Sequence, residues 1–471
     1  MQVSMSPYLI KQKPLLKELI DRLSQEFGYA SVLSVDTKGK TYSVQRTGVS
    51  INDSSWGERG FVVRLHNGIN YSEYSFNELT KDSVNSIVND ITAKFKKDLS
   101  LHNRNAYPVI KEESVIKSFL GEVKILPESV NAQGKIERMT AIKEKALKYC
   151  KELVDFRVTY EEVQISKIFI SSNKELEQAY IWSQGALVPI VRRDKNTKYT
   201  YKSFSGLKAV ELLEEMEEFV EETVKEALEL LDADTVKPGE YEVICTPEIA
   251  GLIAHEAFGH GVEMDMFVKK RAKAPEYMGK EVASEIVDMH DGAASAVNIS
   301  SYLFDDEGTL GTDTVIIKNG ILTNGISDIL SALKLGTMPT GNGKRQSFER
   351  KAYARMTNTF FAPGQDKLED MIASIKFGYL LDGTMSGMED PKNWGIQCVI
   401  LTGKEIVDGK LTGKIVSPLI MTGYVPDLLK SISMVSEQVK LSGSGACGKG
   451  HKEWVKVSDG GPYIKAKARL G

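Results

Sequence analysis

The sequence predicts an α+β protein in two parts: an N-terminal α/β domain with a mixed or antiparallel sheet and flanking helices, and a mainly-β, barrel-like C-terminal domain carrying one helix with paired histidines. Three observations predict it. At 471 residues and 42% hydrophobic content, the chain is long enough for more than one core. Before Lys237-Pro238-Gly239, helical periods interleave with alternating runs. After it, short strands and glycine turns dominate, a texture that favours a β core over a βαβ array. The expected domains are therefore 1–236 and 237–471, with the proline-glycine pair at the boundary.

Pro14 marks the expected start of a first helix, with Leu15, Leu16, Leu19, Ile20, Leu23 and Phe27 along one side. Strand-like runs follow at 30–35, 41–45 and 61–65. The last of these turns at Asn67-Gly68 into 69–74, since that dipeptide favours a two-residue hairpin. Helices are expected at 82–97 and 135–152, and alternating runs at 161–171 and 179–191 add sheet. Residues 209–231 read as one acidic amphipathic helix, burying Leu213, Met216, Val220, Ala227 and Leu231 and leaving its glutamates in water. A strand at 241–245 then leads into a helix opened by Thr246, Pro247 and Glu248: a cap, a first-turn proline and an acidic first turn. Short strands follow at 314–318, 321, 397–402 and 414–417, with hairpin turns at Asn319-Gly320 and Asp408-Gly409. The stretch 338–361 has no period, and a long irregular segment inside a compact domain points to function.

Composition excludes several roles. A net charge of -4 and a pI near 6.0 argue against a nucleic-acid-binding surface. No apolar run approaches membrane-spanning length, and the opening residues lack a signal-peptide core. Four scattered cysteines do not read as a disulfide framework. A reducing cytoplasm is the expected location.

The chemistry concentrates in His255-Glu256-Ala257-Phe258-Gly259-His260. Two imidazoles about one turn apart can hold a metal, and a glutamate beside the first can act as base for a metal-bound water. Histidines four residues apart lie some 40° apart on an α-helix, whereas the spacing of five found here sets them about 140° apart. One ion can be shared only if the helix bulges or breaks between them; a π-bulge would do so, and Gly259 tolerates the distortion. From these residues alone the segment is either a modified metal site or two unrelated histidines. Glu263 and Asp265 close by favour the metal.

A third ligand is needed. Cys447 stands out among the cysteines because it lies in a glycine-rich loop, 441–450, that lets backbone approach a distant site. Thiolate suits zinc, and two imidazoles with one thiolate leave a position open. Spacing alone cannot join Cys447 to His255. Gly443 to Lys449 also fits the opening of a G-x-x-x-x-G-K phosphate loop. However, Gly450 stands where Ser or Thr would hold magnesium, and no convincing helix follows, so nucleotide binding is not expected.

The run from His255 to Asp265 resembles the HExxxH signature of the TldD/PmbA metallopeptidases, specifically the catalytic, TldD-type subunit. Segments at 305–309, 341–347, 355–358 and 444–449 are similar to further family segments, most clearly over 236–471. The resemblance implies one zinc per chain on His255, His260 and Cys447, with Glu256 catalytic. It suggests substrate contacts at Arg355 and Asn358, and His451 could support or compete with the ligand set. It implies hydrolysis of unfolded or flexible peptides, and assembly as a homodimer or as a heterodimer with a related non-catalytic subunit. The alternative is a non-catalytic, metal-stabilised peptide-binding or partner subunit. The intact His255, Glu256, His260 and Cys447 set argues against it.

Overall fold

Long strands with alternating apolar and polar side chains build the N-terminal half into one nine-stranded sheet. Its spine runs Tyr71–Phe76, Glu58–His66, Tyr29–Gln45, Leu153–Ser171, Lys174–Arg193, Val115–Leu120. Neighbours are antiparallel except the last pair, which is parallel, so the sheet is mixed. The computed structural model describes residues 1–96, 106–449 and 453–471; His102 and His451 lie outside these.

Alternation gives the sheet two buried faces. Even-numbered residues of its central strands (Val32, Val44, Phe156, Val158, Ile168) lie under helices Pro7–Glu26, Ser83–Lys96, Ala132–Leu147, Leu212–Glu218 and Val220–Glu229. Odd-numbered ones (Leu33, Val35, Val163, Phe169) meet Phe304 and Ile299 of the C-terminal half.

Three expectations need correction. The first helix starts at Pro7, where Ser6 caps it by accepting from the Leu9 amide, and Pro14 sits inside it. The runs 30–35 and 41–45 are one strand, because the chain continues through Gly39 without a turn. The acidic segment 209–231 is broken at Phe219, yet Leu213, Met216, Val220, Ala227 and Leu231 all reach one core.

In the C-terminal half, Gly239–Cys245, Phe377–Asp390, Gly395–Val407, Leu419–Tyr424 and Ile464–Leu470 close into a five-stranded barrel. A second, six-stranded sheet includes Met289–Asp291, Asn358–Phe361 and Ser458–Gly461. Asn319-Gly320 and Asp408-Gly409 turn with φ of 48° and 75°, and 47° and 74°, the left-handed pair a two-residue hairpin needs. Among the described residues, no helix is long and apolar enough to cross a membrane.

The helix with paired histidines lies between the barrel and the second sheet. A Cβ on Gly251 would sit 2.5 Å from the Gly460 amide, so glycine is required where the helix crosses Ser458–Gly461.

Candidate metal centre

Barrel strand Gly239–Cys245 hands the chain through Thr246 to helix Pro247–Ile253, whose Ile249, Ala250 and Ile253 are fully buried. From Ala254 to Gly259 the helix widens to π geometry, and the His260 amide donates to the His255 carbonyl, five residues back. One turn therefore holds the extra residue, and the imidazoles meet with ring centroids 5.1 Å apart. A Cβ on Gly259 would fall 2.0 Å from Met356 Sδ, so any larger residue beneath the bulge must displace that buried thioether.

Cys447 arrives from strand Ala446–Lys449, which pairs with Glu453–Lys456. Its Sγ lies 3.3 Å from His260 Nε2, and one ligand atom each of His255, His260 and Cys447 falls within 4.8 Å of the others. The donor set fits zinc: Zn–N and Zn–S bonds in a tetrahedron put neighbouring N and S ligands about 3.5 Å apart.

Carboxylates stand behind both histidines. His260 Nδ1 is 3.4 Å from Glu263 Oε2, and His255 Nδ1 is 3.6 Å from Asp459 Oδ2. The Glu263 contact can hold the His260 Nδ1–H and so leave its Nε2 free to face a metal, whereas at 3.6 Å Asp459 offers His255 a nearby charge and no hydrogen bond. Glu263 is itself buried, with Lys449 Nζ at 2.9 Å and Arg355 Nε at 3.6 Å. Burial would raise its pKa, but Lys449, His260 and Arg355 hold it well below the usual carboxylate range. Burial likewise opposes charge on Cys447 and His260. Their mutual attraction wins, holding the thiol well below and the imidazole well above their ordinary values.

Glu256 is half-buried beside His255, and among the described residues no side chain pairs with its carboxylate. Strand Phe377–Asp390 passes alongside it at Gly387.

A model of the PmbA/TldA metallopeptidase C-terminal domain matches residues 238–468. The chain belongs to the PmbA/TldD metallopeptidase family. A metalloprotease of Methanocaldococcus jannaschii is 26% identical over 96% of this chain and 99% of its own length. A zinc metalloprotease TldD homolog of Saccharolobus solfataricus is 34% identical over 52% of this chain and 54% of its own. The crystal structure of TldE from Thermococcus kodakarensis shares the fold, with a TM-score of 0.74 at 19% identity over 97% of this chain and 99% of that one.

In this PmbA/TldD chain the side chains of both suggested substrate contacts are turned inward. Arg355 is 1% exposed and donates to the carbonyls of Cys447 (2.7 Å) and Glu453 (2.8 Å). Asn358 is 0% exposed and donates to the Gly292 carbonyl and Ser301 Oγ, both at 3.0 Å. Lys449, the lysine of the apparent phosphate loop, is committed to Glu263, to Asp265 (2.5 Å) and to the Ala354 carbonyl. Glu263 carried a sequence signal, three residues after His260. Asp459 carried none, because only the Gly251–Gly460 crossing brings it to His255.

Proposed function

We propose that this chain is a zinc-dependent peptidase that hydrolyses unfolded or flexible peptides, with one zinc on His255, His260 and Cys447 and with Glu256 as general base. The observation that carries the reading is the π segment, which draws two histidines five residues apart into reach of one thiolate, with Glu256 unpaired beside them. A bound zinc would polarise a scissile carbonyl and make water acidic enough to lose a proton near neutral pH. Glu256 then accepts that proton on a carboxylate oxygen and returns it to the leaving amine, so the base ends as it began. Glu263 holds the His260 ring, Asp459 places a negative charge behind the His255 ring, and Arg355 holds the backbone of the cysteine. The Cys447 thiolate contributes a full negative charge, which makes the set a softer Lewis acid than three neutral imidazoles.

A reducing, cytoplasmic setting suits the reading, since Cys447 must stay a free thiolate and the other cysteines are unpaired as well. The proposed assembly is a dimer, with a second copy or a related subunit lacking the histidine pair. The test is Glu256→Gln. It should keep stoichiometric zinc while losing roughly 10²–10⁴-fold in hydrolysis of an unfolded peptide pool. Unchanged turnover refutes the assignment, and zinc without cleavage in the unaltered chain favours a binding subunit.

A further inference from the structure

The loop that delivers Cys447 has almost nothing of its own to pack. Gly443, Ser444 and Gly445 precede the ligand strand, and Gly445 and Ala446 are exposed. Such a loop samples many conformations unless something outside fixes it. Three consecutive carbonyls, of Gly443, Ser444 and Gly445, converge on Lys456 Nζ at 2.8, 3.2 and 2.9 Å. Oxygens gathered so closely repel one another without a cation among them, and the ammonium supplies it.

The same ammonium reaches the N-terminal sheet. Lys456 Nζ donates to Gln184 Oε1 at 2.5 Å and lies 5.2 Å from the Trp182 ring centroid and 6.0 Å from that of Trp56. Gln184 is not free to turn, because its Nε2 donates to Glu161 Oε2, while Glu161 Oε1 accepts from Ser54 Oγ at 2.7 Å. Ser205, also in that sheet, accepts from the Gly443 amide at 2.6 Å. Lys456 stands opposite Ala446 in the ladder, one residue from Cys447 opposite Val455. A shift of either strand therefore moves the thiolate. Burial pulls the Lys456 pKa down to about 7; four oxygen acceptors around Nζ work in the other direction, since they favour the charged donor.

We infer that Lys456 is a positioning residue for the metal centre: anchored by Gln184 of the N-terminal sheet, it sets the Gly443–Gly445 backbone and so places the Cys447 thiolate. The two halves of the chain then build one site together, since the third ligand is aimed by contacts from the other half. The inference rests on the zinc ligation proposed above.

The test uses the full chain, with zinc affinity from chelator competition and the thiolate-to-cobalt charge-transfer absorption of the cobalt-loaded protein as readouts. Lys456→Met should weaken zinc roughly 10–100-fold and diminish the thiolate band, as expected for loss of a group that orients a ligand. Wild-type affinity with an unaltered band overturns the inference. If Lys456→Met does not fold, the Gln184→Met/Ser205→Ala double variant carries the test, and wild-type affinity in it overturns the inference equally. Cys447→Ser separates the two claims. Unchanged zinc in that variant refutes the ligand set itself, whereas loss there with none in Lys456→Met refutes only the role of Lys456.

Discussion

Gly387→Ala asks whether the position of Glu256, apart from its presence, matters to turnover. The added Cβ would lie 2.5 Å from Glu256 Cγ, 3.0 Å from Glu256 Cδ and 2.7 Å from Leu252 Cδ1. Carbon atoms rest at about 3.5 Å, so the Glu256 side chain must retreat by about 1 Å. A displacement of that size costs roughly 10²-fold in rate when the group must meet a reacting atom, or about 2.7 kcal/mol. Overpacking adds a stability loss of about 1–3 kcal/mol. These clashes fall on Glu256 and Leu252 and spare His255, His260 and Cys447, so zinc should stay stoichiometric. The assay is steady-state hydrolysis of an unfolded peptide beside metal analysis and thermal unfolding of the same preparation. Wild-type turnover in a folded, zinc-loaded Gly387→Ala protein would refute the reasoning, because the base could then not be where this strand confines it.

Three further outcomes are expected. In zinc-free protein, the neighbouring imidazoles hold the Cys447 thiol well below its usual value against the effect of burial, while burial pushes Cys245 up to about 12. Iodoacetamide labelling of Cys447, followed by mass spectrometry, should thus persist well below the ordinary thiol pKa of about 8.5 with Cys245 unlabelled; a rate that falls away near that pKa contradicts the pairing. Burial raises Glu58 from 4.5 to about 7, with Lys167 offsetting only part. The stability it contributes is present below 4.5 and lost as pH rises through about 7, so Glu58→Gln should raise the Tm near pH 8 and leave it unchanged near pH 4; equal shifts at both refute this. Arg64 Nη1 lies 2.5 Å from the fully buried Glu307 carboxylate across the two halves. Arg64→Met strands that charge and should cost about 3–5 kcal/mol in urea unfolding, whereas a loss within the range of surface pairs, below about 1 kcal/mol, refutes a buried pair.

What the sequence reveals follows the distance over which each determinant acts. The bulge between His255 and His260 is legible because helix geometry turns a spacing of five into a steric contradiction that only a local distortion resolves. The hairpins at Asn319-Gly320 and Asp408-Gly409 are legible for the same reason, since left-handed φ selects their residues. The true start of the first helix was also written locally, in Ser6-Pro7, but Pro14 mimics the same signal about two turns too late. The break at Phe219 carries no breaker residue at all.

Non-local determinants leave weaker marks. Arg355 and Asn358 sit in an irregular, polar stretch whose family resemblance suggests substrate contacts, and both are buried among backbone carbonyls. A buried guanidinium looks no different in sequence from one reaching for substrate. Its donors to the Cys447 carbonyl show the distinction, because a carbonyl that must be fixed to aim a thiolate needs a rigid, multidentate donor. The same logic governs Lys449, Glu263 and Lys456. Each is a charge whose sequence context suggests water or a ligand, and each is instead spent within the protein: Glu263 on the His260 ring, Lys449 on Glu263, and Lys456 on the backbone that leads to Cys447. Burying so many charges is unfavourable unless every one is paired. Their concentration around the three proposed donor atoms therefore argues that placement of those donors, more than stability of the fold, accounts for these residues.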